Sequence, residues 1–181
     1  TASMIAKKRR EMGEYIFSCQ VLLRPIPKEQ QRFKDEWLAN CYFKKLPKIF
    51  KCYMIVDPSS GRRKDKSDPD STVMIIIGVD VQNHRWLMYG IRDKLTMRQK
   101  WFKLRDITLR FRPYMIGYEK YGMQADRIYI EEMAEREGVL LPDIVDLGGV
   151  IPKRDRILNN LVPLFESSEF HIPESLMYEK V

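Results

Sequence analysis

Lys51-Cys52-Tyr53-Met54-Ile55-Val56-Asp57-Pro58-Ser59-Ser60-Gly61 sets the architecture of the chain. Its first half is apolar, aromatic and β-branched, which suits a pleated, half-buried strand. Its second half gathers Pro, Ser and Gly, each of which favours a turn. The boundary falls at Asp57, so an acid closes the carboxyl end of a strand. After a polar loop from Gly61 to Asp70 comes Ser71 to Asp80, whose Val73-Met74-Ile75-Ile76-Ile77-Gly78-Val79 is apolar on both faces and reads as a central strand. Gln82-Asn83 makes a turn and His84 to Arg92 forms a third strand, and the short connections predict an antiparallel meander.

Downstream, Met97, Trp101, Leu104, Thr108 and Phe111 recur at helical intervals, with Thr96 as N-cap and Pro113 beyond the end. The other face of this helix carries most of a basic cluster. Tyr114 to Tyr118 is a short apolar strand ending at Glu119. A helix from about Gln124 to Glu137 follows, stopped by Gly138. Ile144 to Leu147 predicts another strand, Lys153 to Phe165 a helix with Ile157, Leu158, Leu161, Leu164 and Phe165 on one side, and Glu169 to Ile172 a short extended piece. This order implies an α/β fold with a mixed sheet covered by helices. Upstream, the pattern is irregular apart from a short helix around Phe33 to Leu38. Residues 1–46 therefore read as a lead-in segment and 47–181 as one domain.

With 44% apolar residues in 181, the chain can bury one sizeable core. Its apolar runs fall far short of the roughly 18 to 20 residues that span a bilayer, and no export signal opens the chain. Cys19, Cys41 and Cys52 form no CxxC pair, which excludes a sequence-evident zinc site or disulfide framework and fits a reducing compartment. His84 and His171 stand far from any partner in sequence, so a zinc role is disfavoured. The net charge of +7 points to a polyanionic partner. Between residues 92 and 112, Arg92, Lys94, Arg98, Lys100, Lys103, Arg105, Arg110 and Arg112 are set against only Asp93 and Asp106, and Arg62-Arg63-Lys64 and Lys7 to Arg10 add further clusters. Taken singly, each cluster is as well explained by a solvated face; together they favour phosphate contacts.

The chemistry rests on two acids at the ends of apolar strands, Asp57 and Glu119. Each would be no more than a turn cap if its strand stood alone. If the strands are parallel neighbours, the carboxylates converge and repel unless a hard divalent cation neutralises them. Lys153 and Arg156 fall in the first turn of their helix, where a helix amino end and two cations can address a phosphate, or can simply be surface charge.

Further pieces complete a pattern: Val56-Asp57-Pro58-Ser59-Ser60-Gly61, Ser67 to Thr72, Ile116-Gly117-Tyr118-Glu119-Lys120-Tyr121-Gly122, and Leu147-Gly148-Gly149 with Lys153, Asp155, Arg156 and Ile157. Leu161 to Phe165 with Glu166, and upstream Tyr15 to Leu23 and Phe33 to Leu38, extend it over nearly the whole chain. In order and spacing the chain resembles the nuclease domain of viral, bacteriophage-type terminase large subunits. That resemblance implies a ribonuclease H-like fold, with three antiparallel strands followed by parallel strands and helices on both faces. It also implies cleavage of double-stranded DNA during genome packaging by two metal ions, Mg²⁺ or Mn²⁺. By the resemblance Asp57 matches the acid that bridges both ions, and Glu119 the second metal-holding acid.

Relatives carry a third acid in an Asp-Asp-rich helix near the domain's end, which this sequence does not contain before Val181. The expectation is a domain truncated at its C-terminal end and weakly active, with Asp70 or Asp146 as substitute ligands. DNA contacts are expected from Lys153, Arg156, Arg62, Arg63, Lys64, Arg98, Lys103 and Arg105. No phosphate-binding Gly-x-x-x-x-Gly-Lys-Ser/Thr loop occurs, so an ATPase motor would belong to an upstream part of the same full-length protein, joined through residues 1–46. The portal and the small terminase subunit would be further partners. The setting would be the host-cell cytoplasm, or the nucleus for a virus of herpes type, with no secretion and no membrane partner. Two alternatives stand beside this reading: a junction-resolving or transposase-like nuclease of the same fold, and a catalytically silent DNA-binding module.

Overall fold

The computed structural model describes Ile5 and residues 33–58, 71–119, 123–148 and 152–177. In chain order they form helix α1 (Asp35–Asn40), strands β1 (Tyr42–Phe43), β2 (Ile49–Asp57), β3 (Thr72–Asp80) and β4 (Arg85–Asp93), and helix α2 (Met97–Phe111). Then come β5 (Met115–Glu119), α3 (Met123–Glu137), β6 (Ile144–Leu147), α4 (Lys153–Glu166), β7 (Phe170–Pro173) and a 3-10 turn at Glu174–Met177. One seven-stranded sheet has the order β1-β7-β4-β3-β2-β5-β6. The meander β2-β3-β4 is antiparallel, with Ile55 opposite Ile75 and Thr72 opposite Asp93. β5 runs parallel to β2, and β6 parallel to β5. The expected mixed α/β sheet is thus present.

Side chains alternate across a strand, so the register assigns faces. Met54, Val56, Met74, Ile76, Ile116 and Tyr118 point to one face, where they form the core with Trp101, Leu104 and Ile107 of α2 and Ile130 and Ala134 of α3. The sequence of α2 accounts for both of its ends. Thr96 and Gln99 make a capping box, in which Gln99 N–H donates to Thr96 Oγ1 and Thr96 N–H to Gln99 Oε1, satisfying otherwise orphaned amides. Arg112 takes a left-handed conformation (φ 48°) ahead of Pro113, which cannot continue a helix. Gly138 closes α3 at φ 65°, a conformation that glycine adopts without steric cost.

The opposite face is crossed by α4, whose Phe165 stacks on Phe170 of β7 and meets Phe33 edge-on. Ile157, expected on the buried side of this helix, is 42% exposed, because the covered stripe shifts toward Phe165. Residues 33–46, read from sequence as lead-in, join the same sheet where described: β1 pairs in parallel with β7, Tyr42 against Ile172, and Ile172 N–H donates to Cys41 O. Among the described residues, no helix is long and apolar enough to cross a membrane.

Candidate active site

β2 ends on Asp57 and β5 on Glu119, and the two strands are parallel neighbours. Ile55 pairs with Gly117 and Val56 with Tyr118, so the next residues, Asp57 and Glu119, stand level at the carboxyl end of the sheet. Adjacent strands lie about 4.8 Å apart, and residues level in a parallel pair share a face. Both carboxylates therefore project from the same side. The register brings together the two acids that the sequence singled out, an arrangement that favours a cation nearby.

The neighbours shape this corner. On β6, Leu147 is level with Glu119 and folds over Gly117: a Cβ built on Gly117 would lie 2.6 Å from Leu147 Cδ1. Gly117 is thus a close-approach glycine that lets Leu147 wall the acids on one side. From α4, Arg156 Nη2 lies 3.9 Å from Glu119 Oε1, and Glu119 is only 19% exposed. The Nε of Arg156 is buried and has no hydrogen-bond partner among the described residues.

Behind the sheet, Tyr118 is anchored to the helices. Its hydroxyl donates to Asp126 Oδ2 at 2.7 Å, and Lys100 Nζ donates to the same oxygen at 3.0 Å. Burial, then the Asp126 carboxylate, pushes the Tyr118 hydroxyl far above the ordinary phenol range. This buried network ties β5, α2 and α3 together one residue from Glu119. Sequence reading had counted Lys100 with the exposed basic cluster. The signal was present: Lys100 lies three positions after Met97 and four before Leu104, on the stripe that α2 turns inward.

The other expected site residues divide by location. Asp146 pairs with Tyr118 in the register, so it lies on the face opposite Asp57 and Glu119, where Arg127 Nη1 approaches it at 3.7 Å. The strand's two-residue period keeps it from sharing an ion with the pair. Asp70, Arg62, Arg63 and Lys64 lie outside the described residues, as does the side chain of Lys153, whose backbone opens α4. Arg98 and Lys103 are exposed on α2, across the sheet from the two acids. Arg105 is already engaged by Glu137 at 2.9 Å and by Asp106 at 2.8 Å. The face that carries the two acids is thus the one crossed by α4 rather than α2.

Asp57 and Glu119 offer only carboxylate oxygens, the donor type that hard ions such as Mg²⁺ and Mn²⁺ prefer. The donor set fits such an ion. Among the described residues no third His, Cys, Asp or Glu joins them, so the rest of a coordination shell is not supplied by those residues.

No protein-family model and no curated protein sequence matches the chain. Among solved structures, the large terminase nuclease from thermophilic phage G20c superposes with a TM-score of 0.50 at 12% identity, covering 78% of this chain and 74% of that one. The same nuclease with bound magnesium gives a TM-score of 0.49 at 14% identity, over 83% of this chain and 78% of the other. The fowlpox virus Holliday junction resolvase gives 0.39 at 16% identity, over 67% of this chain and 78% of that chain. The chain therefore shares the α/β fold of the phage G20c large terminase nuclease, and its own strand-end acids, Asp57 and Glu119, stand side by side.

Proposed function

We propose that the chain is a divalent-metal-dependent endonuclease that cleaves double-stranded DNA during viral genome packaging. The observation that supports it best is the register of β2 against β5, which sets Asp57 level with Glu119 on one face. Asp57 and Glu119 would hold Mg²⁺ or Mn²⁺, two ions in all, which when bound supply an activated water and neutralise charge on the leaving oxygen. The chain's own groups do the positioning. Leu147 closes the β6 side, and Tyr118 fixes the height of Glu119 through its bond to Asp126. Beside Glu119 stands the amino end of α4, whose N-cap Pro152 makes no side-chain cap bond. Its dipole and the solvent-facing part of the Arg156 guanidinium suit a backbone phosphate drawn toward the acids.

The reading includes an ATPase motor in the same full-length protein, the portal and small terminase subunit as partners, and action in the host cytoplasm, or nucleus for a herpes-type virus. Supercoiled plasmid with Mn²⁺ tests the enzymatic core of it. Wild type should nick, and Asp57→Asn should abolish nicking while DNA binding persists. DNA binding without nicking in any divalent ion would leave a binding module, and nicking that survives in Asp57→Asn would remove the acids from the chemistry.

A further inference from the structure

The chain has two histidines, 87 residues apart in sequence, and the fold brings His171 Nε2 to 3.3 Å from His84 Nδ1. They meet at the end of the sheet remote from the acids: Asp57 is level with Val73, whereas His84 lies just beyond the pair Val79 and Arg85. Both rings are held in place. His171 stacks on Trp86 with centroids 3.8 Å apart and planes 20° from parallel. Trp86 is fixed in turn by Asp80, whose Oδ2 accepts from Trp86 Nε1 at 2.9 Å while its Oδ1 accepts from His84 N–H at 2.9 Å. Asp80 is 5% exposed, so this scaffold is internal, while the imidazoles themselves are half-buried and open to an ion from solvent.

The separation is informative. In the metal-free protein the 3.3 Å between the nitrogens is that of a long ring N–H bond, whose usual span is about 2.7 to 3.2 Å. It equals the edge of a tetrahedron whose arms are zinc–nitrogen bonds of about 2.0 to 2.1 Å, which is about 3.3 Å. We propose that His84 and His171 form a two-nitrogen site for a borderline-soft divalent ion such as Zn²⁺, with water completing the shell. No third His, Cys, Asp or Glu gathers there among the described residues, so the affinity is modest. Imidazole nitrogen also makes the site chemically distinct from the all-oxygen pair Asp57 and Glu119.

Occupancy has a structural consequence. β7 is joined to β4 through two residue pairs, Arg85 with Phe170 and Trp86 with His171, and β1 is attached to the sheet through β7. An ion shared by His84 and His171 staples that edge. The test titrates the chain, free of any polyhistidine tag, with Zn²⁺ by calorimetry and follows its melting temperature. With excess Mg²⁺ present to occupy Asp57 and Glu119, wild type should bind one Zn²⁺ and melt about 5 °C or more higher at roughly 100-fold excess over Kd. His84→Ala and His171→Ala should each weaken binding at least tenfold and lose the shift, whereas the Asp57→Asn/Glu119→Gln variant should keep both. Co²⁺ in place of Zn²⁺ should give visible ligand-field bands that either histidine substitution removes. Should His171→Ala fail to fold by circular dichroism, His84→Ala decides, since His84 lies outside the strands. The proposal is overturned by no saturable Zn²⁺ binding, by binding that survives both histidine substitutions, or by binding lost in the carboxylate variant.

Discussion

Adding one methyl group at Gly117 would press directly on the wall beside the two acids. An alanine Cβ there stands 2.6 Å from Leu147 Cδ1, 2.8 Å from Cγ and 3.0 Å from Cδ2, whereas apolar carbons settle at about 3.5 to 4.0 Å. The overlap of about 1 Å involves three atoms of one side chain, so turning a terminal methyl does not relieve it. Leu147 must leave its position, and its backbone is pinned by pairing with Glu119. Overpacking of this kind costs about 1 to 3 kcal/mol, roughly 3 to 10 °C in melting temperature for a chain of this size. Leu147→Ala deletes all three colliding atoms. In a urea-denaturation cycle, Gly117→Ala/Leu147→Ala should therefore be more stable than the two single changes added together, by about 1 kcal/mol or more. A Gly117→Ala protein as stable as wild type, or strict additivity in the cycle, would refute the close approach.

Other consequences follow from the same geometry. Lys100→Met leaves the Asp126 charge buried and should cost about 3 to 5 kcal/mol in chemical denaturation, while Lys100→Met/Asp126→Leu/Tyr118→Phe, which also removes the hydroxyl that Asp126 accepts from, should recover most of it. Arg105, then Trp101 Nε1–H, hold the Glu137 carboxyl below its ordinary value of 4.5. A depressed folded pKa stabilises above the unfolded value and is lost as pH falls through the folded one. The stability gap between wild type and Glu137→Gln should thus be full at neutral pH and close in the acid limb below about pH 4.5, as read by thermal melts across pH. For DNA affinity against salt, Arg156→Ala should lower the log–log slope by about one, and Arg105→Ala should leave it unchanged because its guanidinium is already paired.

The strands, the α2 cap and the Gly138 stop were legible because each rests on local chemistry: β-branched runs, a Thr96–Gln99 box, and a glycine that accepts φ 65°. β1 was not legible, since two residues, Tyr42 and Phe43, carry no periodicity and are strand only through their pairing with β7. The acids Asp57 and Glu119 could be chosen from their strand-end positions, but their adjacency depends on the parallel crossover. Asp146 shares that strand-end signature and differs only in the parity of its register, a quantity fixed in three dimensions. Lys100 and the histidine pair escaped for the same reason: a charge count cannot tell an inward lysine from an outward one, and a spacing of 87 residues carries no signal.

On the proposed function Asp57 and Glu119 share a divalent ion. Anomalous diffraction from a crystal soaked in Mn²⁺ measures this directly. The account predicts a manganese peak within coordination distance, about 2.0 to 2.6 Å, of carboxylate oxygens from both residues. Manganese bound elsewhere with both carboxylates bare, or those side chains diverging to opposite faces of the sheet, would contradict it.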